Sequence, residues 1–420
     1  MRVTSLLAIL TCSLIARADA LDDLVRAHMD WQRVPGLSVA VVKNGKAVAA
    51  RGYGLANVET QTPARAETVY KIGSLSKPFL AAAVMLLAQD GKLQLDDSVR
   101  TFLPDAPESW NAITLRHLLS HTSGVVREPP GFDPYKVRPD AEVLASAYAT
   151  PLQFAPGTKR EYSNTGYYAL AEVIRRVSKE EWSSFIAKRV FAPAGMTATR
   201  TTTLDIVPNR ARGYETRQGQ LRNAEDWLAV RPSGAFLSTA VDLARWPLTP
   251  ASDTLGWFVD TIEGHRHVHH DGGVPGFVAE MHRFPDDGLT VAVLANIGNR
   301  DLSDLALQIA GMHIPGLIGP PSPAIADPNP RLTARLRTVL RNLPTFDATL
   351  FTEQAASFVR EDLARGIADR IREQGPLRDF VLIERTDQTL RYRATYAHMT
   401  LFATFTLDAD GRITAWALTD

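Results

Sequence analysis

Apolar positions dominate both arms of LSVAVVKNGKAVAARGYG (37–54), with Asn44-Gly45 between them. Two β-rich runs around a pair that accepts positive φ predict a hairpin. The pattern changes over residues 74–90, where AAAVMLLAQ supplies a broad apolar surface. Ser74 opens this segment and Pro78 falls in a first turn whose amides lack partners anyway, so the stretch predicts a helix. From about 91 to 245 the chain reads mainly as helices and loops, LRHLLSH and SNTGYYALAEVIRRVS among them. Strand patterning returns between about 255 and 296, in GWFVDTI, HRHVHH, GFVAEMHRF and LTVAVLAN, with Pro285-Asp286-Asp287-Gly288 as a turn before the last. Strands at both ends with helices between them predict a mixed α+β domain whose sheet is closed by its terminal segments.

IPGLIGPPSPAIADPNP (314–330) has the proline and glycine density of a linker. Beyond it Leu363, Ile367 and Ile371 recur at helical spacing before Gly375-Pro376, and FVLIE, LRYRATYA, LFATFTL and RITAWAL follow in strand fashion. The expected division is a main domain over 21–313, a linker over 314–330, and a small α+β domain over 331–420 with a helix on an antiparallel sheet, of cystatin or NTF2 type.

Composition narrows the function classes. Forty-six basic residues balance forty-six acidic ones, so no net field draws nucleic acid or an anionic membrane. The first twenty residues place Arg2 before a short apolar stretch and end in Ala18-Asp19-Ala20, the pattern of an export signal cleaved after Ala20. A secreted or periplasmic protein is expected. The single cysteine, Cys12, falls within that segment, which leaves the mature chain without thiol chemistry, disulfides or cysteine-held metal. No later run approaches the ~18 apolar residues of a membrane span.

The chemistry starts at KIGSLSKPF (71–79). Ser74 and Lys77, three apart at a helix start, share a face, and the helix N-terminus offers unpaired amides to developing negative charge. Alone, this pair more often marks a capped first turn than a nucleophile. Two further groups change that balance: Tyr162-Ser163-Asn164 before a second helical pattern, and His270-Asp271-Gly272-Gly273 on a strand pattern.

With these three elements in this order, the chain resembles the serine β-lactamase and DD-peptidase superfamily, in its class C β-lactamase-like branch. The resemblance covers about residues 25–310 and extends to ITLRHLLSHTSGV (113–125), PSGAFLSTAVDLARW (232–246) and FPDDGLTVAVLAN (284–296). It implies a β-lactamase/transpeptidase-like fold, an antiparallel sheet flanked by helices with a helical lobe. It also implies a cofactor-free serine hydrolase forming an acyl-enzyme at Ser74. Lys77 or Tyr162 would act as the base, a choice the sequence leaves open. Asn164 would hold Lys77 and a substrate amide, and the backbone amides of Ser74 and Gly273 would receive the oxyanion. Tyr162 would protonate the leaving group. The substrate would be a small molecule or a peptidoglycan-derived peptide.

One departure bears on substrate. His270-Asp271 stands where β-lactamases have Lys-Thr, which puts a neutral or switchable imidazole and a carboxylate where a substrate carboxylate would be seated. That argues against penicillins and toward esterase, D-aminopeptidase or DD-carboxypeptidase activity. A class C β-lactamase and an inactive peptidoglycan-binding sensor are the alternatives. His265, His267 and His269 would share a strand face as metal ligands often do, yet a solvent-facing row is the expectation, with no metal. His117 and His121 are expected to be structural, and Ser76 a helix-turn hydroxyl.

Overall fold

The computed structural model describes residues 20–133, 135–136, 138–217, 220–225, 232–247, 255–318, 323–364, 367–397 and 400–419. The expected export signal as far as residue 19, and residues 319–322 of the expected linker, lie outside them. The chain divides into two compact units. One comprises 34–215 and 223–317; the other comprises 1–33, 216–222 and 318–420. This differs from the sequence-based division at the front: the first helix α1 (20–32) groups with the tail. Its Trp31 belongs to the tail unit's apolar core.

In the larger unit the hairpin forms as expected. Strands β1 (Gly36–Lys43) and β2 (Lys46–Asn57) flank Asn44 and Gly45, both at positive φ. They join β3 (Thr62–Pro63), β9 (Phe258–Ile262), β10 (His265–Val274), β11 (Phe277–Phe284) and β12 (Leu289–Ala295) in an antiparallel sheet of order β3-β2-β1-β12-β11-β10-β9. The β1–β12 pairing, Val39 opposite Val293, closes the sheet with the unit's terminal segments. Shorter pieces are β4 (Tyr70–Lys71), β8 (Phe236–Ser238) and β5 (Arg200–Thr201) in one small sheet; β6 (Tyr214–Arg217) and β7 (Gln220–Asn223) pair as a separate two-stranded sheet, whose residues 216–222 group with the other unit.

Helix α2 (Lys77–Gln89) runs through the core, buried from Lys77 to Val84. A helix apolar on every side requires protein on every side. It packs with α5 (Thr165–Ser178), whose Tyr167, Leu170 and Ile174 share its cluster. The shorter α3 (Leu115–Leu119), α4 (Asp140–Tyr148) and α6 (Trp182–Ile186) complete a helical lobe, while α7 (Ala240–Arg245) and α8 (Ser303–Gly311) are near the sheet strands.

In the tail unit the four expected strands are β13 (Asp379–Arg385), β14 (Thr389–Thr395), β15 (Thr400–Leu407) and β16 (Ile413–Thr419), paired in sequence order. The helical run anticipated around Leu363 to Ile371 is two helices, α10 (Glu353–Ala364) and α11 (Ile367–Glu373). Helix α9 (Pro330–Asn342) begins where the linker was expected to end, capped by Asn329 with Pro330 in its first turn. Leu336, Val359, Ile371, Tyr392 and Phe405 share one core between helices and sheet. Among the described residues, no helix is long and apolar enough to cross a membrane.

Candidate active site

All of the motif residues fall in the larger unit. After β4 the chain makes a 3-10 turn over Gly73–Ser76, and the α-helix proper starts only at Lys77. Ser74 therefore precedes the α-helix expected to open on it. The turn is held from behind. The Phe236 amide donates to Ser76 Oγ at 3.1 Å, and the Ile72 amide donates to the Phe236 carbonyl at 3.1 Å. The fully buried Ser76 hydroxyl is thus a cross-link to β8 rather than a hydroxyl within its own helical turn.

Lys77 is fully buried, and its Nζ donates to Ser74 Oγ at 3.1 Å and to the Ser233 carbonyl at 3.0 Å. The ammonium lies 4.6 Å from the ring centre of Tyr162. Ser233 comes from the PSGAF segment, which sequence singled out without assigning it a role. A backbone carbonyl carries no side-chain signature, so that contact had none to read.

Tyr162 lies in the loop before α5, hydrogen-bonded to Ser74. Burial pushes its phenol well up, the Ser74 hydrogen bond pulls it down, and the nearby Asp271 charge raises it further. A phenol so placed is protonated at rest. Its ring stacks on His121, whose Nδ1 accepts the Ser163 amide at 3.1 Å. The proton of His121 is therefore on Nε2. Burial, then the Lys77 charge, lowers His121 to about 3, so the imidazole stays neutral. Ser163 Oγ donates to the Val126 carbonyl at 2.9 Å, and the Asn164 and Thr165 amides both donate to the Arg127 carbonyl at 3.1 Å. Segment 126–128 thereby clamps the Tyr-Ser-Asn loop. His117, by contrast, is structural as expected: its Nδ1 accepts the Thr114 amide in a capping box at the start of α3.

Asn164 is near this group but turned elsewhere. Its Nδ2 donates to Glu128 Oε1 at 2.6 Å, and its buried Oδ1 has no hydrogen-bond partner. Hence Oδ1 does not hold Lys77, as the resemblance implied, and is an acceptor ready for a substrate N–H. Glu128 escaped the sequence reading because nothing in REPP distinguishes it from an exposed loop acid.

Strand β10 forms the opposite wall. Gly272 is packed so closely that a Cβ there would lie 1.9 Å from the Ile72 carbonyl oxygen. Gly73, at φ +51°, would bring a Cβ within 2.8 Å of the Gly273 amide nitrogen. Two glycines thus let the Ser74 turn and the Gly273 backbone come together, which is what a pair of amides facing one oxyanion needs. A Cβ on Gly273 itself would meet nothing within 4 Å. His270 is buried, and its Nδ1–H donates to the Asp271 carbonyl at 2.6 Å. Burial, then Lys77, lowers it to about 3. Of the two states open to His270, neutral or switchable, the imidazole is therefore in the neutral one near neutral pH. Asp271 is exposed, and its charge is felt at the Tyr162 phenol.

The histidine row also departs from expectation. His267 is 2% exposed and stacked between neighbouring rings, so the row is not a solvent-facing one.

A serine between a buried lysine and a protonated tyrosine, facing a glycine-edged strand, on this sheet-and-lobe scaffold, defines the active-serine β-lactamase and penicillin-binding-protein class. The chain belongs to the Beta-lactamase family, whose profile matches residues 21–311. It is similar to protein flp of Staphylococcus aureus (strain COL), 27% identical over 66% of this chain, and spans 63% of that relative's length. It is also 27% identical to penicillin-binding protein 4* of Bacillus subtilis (strain 168), covering 66% of this chain and 73% of that one. Among solved structures, the octameric penicillin-binding protein homologue from Pyrococcus abyssi superposes with TM-score 0.66 at 22% identity, over 96% of this chain and 95% of that one. The D-amino acid amidase of Ochrobactrum anthropi SV3 superposes with TM-score 0.59 at 22% identity, over 69% and 94% respectively.

Proposed function

We propose that this protein is an exported serine hydrolase that cleaves ester or amide bonds through an acyl-enzyme at Ser74, with neutral or amine-bearing substrates preferred over anionic β-lactams. The observation that carries the reading is the Lys77–Ser74 contact at 3.1 Å beside Tyr162, opposite the Gly273 amide. Ser74 Oγ attacks the carbonyl and its proton enters the lysine–tyrosine pair. Tyr162 is a resting acid, so the first acceptor is Lys77 in its neutral amine form, reached when the resting ammonium gives up a proton to solvent. Tyr162 then protonates the leaving group and takes the proton back from Lys77, so one proton passes from Ser74 to the product and the pair returns to its starting state. Water completes the cycle by attacking the acyl-enzyme.

Substrate preference follows from charge. A neutral His270 supplies no cation for a substrate carboxylate, and Asp271 repels one. The same carboxylate attracts an α-ammonium, which fits D-amino amides or peptidoglycan-derived peptides with a free amine. The likeness to a D-amino acid amidase supports that class. Export rests on the first twenty residues, and N-terminal sequencing of the exported protein checks cleavage after Ala20. The deciding experiment is intact-mass analysis after exposure to aryl esters, D-amino amides and cephalosporins. Adducts at Ser74 from the first two classes support the reading, and adducts from cephalosporins alone overturn its substrate preference.

A further inference from the structure

The histidines of β10 separate into two destinations. His265 Nδ1 turns to Asp287 Oδ2 at 2.8 Å. His267 and His269 instead lie with parallel rings, centroids 4.4 Å apart and planes 3° apart, beside Asp260 of the edge strand β9. Asp260 is the direct cross-strand partner of His267, and His269 is two residues further along the same face. His267 Nδ1 is 2.7 Å from Asp260 Oδ1, and His269 Nε2 is 3.6 Å from Asp260 Oδ2. One ligand atom from each of the three residues falls within 4.8 Å of the others.

We propose that Asp260, His267 and His269 form a binding site for a divalent transition-metal ion of the zinc, cobalt or nickel type. Two imidazole nitrogens and one carboxylate oxygen suit those ions rather than magnesium or calcium. Metal–ligand bonds of about 2.0–2.2 Å place ligand atoms roughly 3 to 3.5 Å apart, and small rotations bring the present spacing to that range.

What distinguishes this group from a chance surface cluster is the layer behind it. His267 Nε2 lies 3.0 Å from His282 Nδ1, and His282 Nε2 lies 3.3 Å from Glu280 Oε2. With the ion on His267 Nδ1, the Nε2–H donates to His282 and the His282 Nε2–H donates to Glu280, so each imidazole has one proton and one use for it. Such a backing fixes the tautomer and ring direction of a metal-binding histidine. His282 is fully buried and Glu280 is 7% exposed, whereas the outer side is open through Asp260 and His269. Ion binding moves the protons of His267 and His282 from Nδ1 to Nε2 without changing either ring's count, the proton that burial keeps on Glu280 leaves to solvent, and water fills the remaining coordination. The bound ion clips the edge strand β9 to β10, the strand that carries His270 through Gly273. It is a clasp on the wall of the site and takes no part in the Ser74 chemistry.

Untagged full-length protein, stripped with chelator, is titrated with Co2+ and Zn2+ by calorimetry and visible absorption. One ion per chain is expected, with cobalt d–d bands that zinc abolishes and a raised thermal midpoint. His282→Gln should weaken binding about 10–100-fold, and His269→Ala and Asp260→Ala should each weaken it at least as much. His265→Ala should leave it unchanged. His269 and Asp260 are solvent-exposed in part, and circular dichroism verifies that their variants fold. Absence of saturable binding, or binding that survives both His269→Ala and Asp260→Ala, overturns the site. Neither result touches the assignment of Ser74.

Discussion

The Tyr162 ring rests on His121, centroids 4.4 Å apart and planes 30° apart, while His121 Nδ1 holds the amide of the very next residue, Ser163. A neutral imidazole thus sets both the plane of the phenol and the path of its backbone. His121→Ala should lower kcat at least tenfold with little change in KM, and cost about 1–3 kcal/mol through the abandoned Ser163 amide. His121→Asn suits the positive φ at this position and retains an acceptor, so it should recover stability without recovering kcat. Thermal denaturation and steady-state kinetics on both variants separate the two effects.

Ser74→Ala should abolish covalent labelling and turnover together. Lys77→Ala and Tyr162→Phe should each reduce the acylation rate by about a hundredfold or more, the scale of a lost acid or base. Single-turnover measurements with an aryl ester read this directly; near-normal acylation in both would remove them from the proton path.

Adjacent glycines should respond oppositely. Gly272→Ala drives a Cβ into the Ile72 carbonyl, so it should destabilise by about 1–3 kcal/mol and displace the Gly273 amide, with a rate loss on the order of 100-fold. Gly273→Ala meets open space and should leave the melting temperature near that of the wild type. Equal melting temperatures for the two variants would contradict the packing described for β10.

Stability should fall on acidification. His121 and His270 are held neutral down to about 3 in the folded protein but titrate near 6.5 when unfolded. Between those values the unfolded chain binds more protons, so unfolding is favoured progressively as pH falls from about 6.5 toward 3. His267, His269 and His282, lowered mainly by burial, act in the same direction. Denaturant midpoints measured from pH 8 to 4 check the slope, and His270→Gln should reduce it.

Asp271→Thr should raise acylation by an anionic cephalosporin relative to ester hydrolysis by roughly tenfold, the effect of about 1.4 kcal/mol of relieved repulsion. Because His270 stays neutral, the wild-type preference should hold between pH 5 and 8. A preference that weakens through pH 6.5 would mean that His270 titrates in the cleft after all.

Much of this was legible in the chain itself. Asn44-Gly45 fixed the first hairpin because few residues accept positive φ twice in succession. The alanine- and leucine-rich run after Lys77 could only be a buried helix. Ser74, Lys77 and Tyr162 stood out as residue types whose combined chemistry is uncommon. Periodicity also places the strands of the tail, and α9 carries its own local signals: Asn329-Pro330 marks its start, and Leu332, Leu336, Val339 and Leu340 share one face.

The remainder depended on neighbours far apart in sequence. Strand period put His265, His267 and His269 on one face, but it cannot say whether that face meets water or a second strand. Burial against β11, and Asp260 on the adjoining strand, converted a row of three into a pair with a carboxylate. Likewise, the ordinary pKa of His270 was a property of the residue, whereas its neutrality came from burial beside Lys77. Asn164 was identified by its motif, but its partner, Glu128, was set by a clamp of backbone carbonyls that no side-chain pattern records. Sequence determined which groups are present for the proposed chemistry, because identity and local conformation are local properties; tertiary structure decided their charge, orientation and company, because desolvation and contact depend on what the rest of the chain brings beside them.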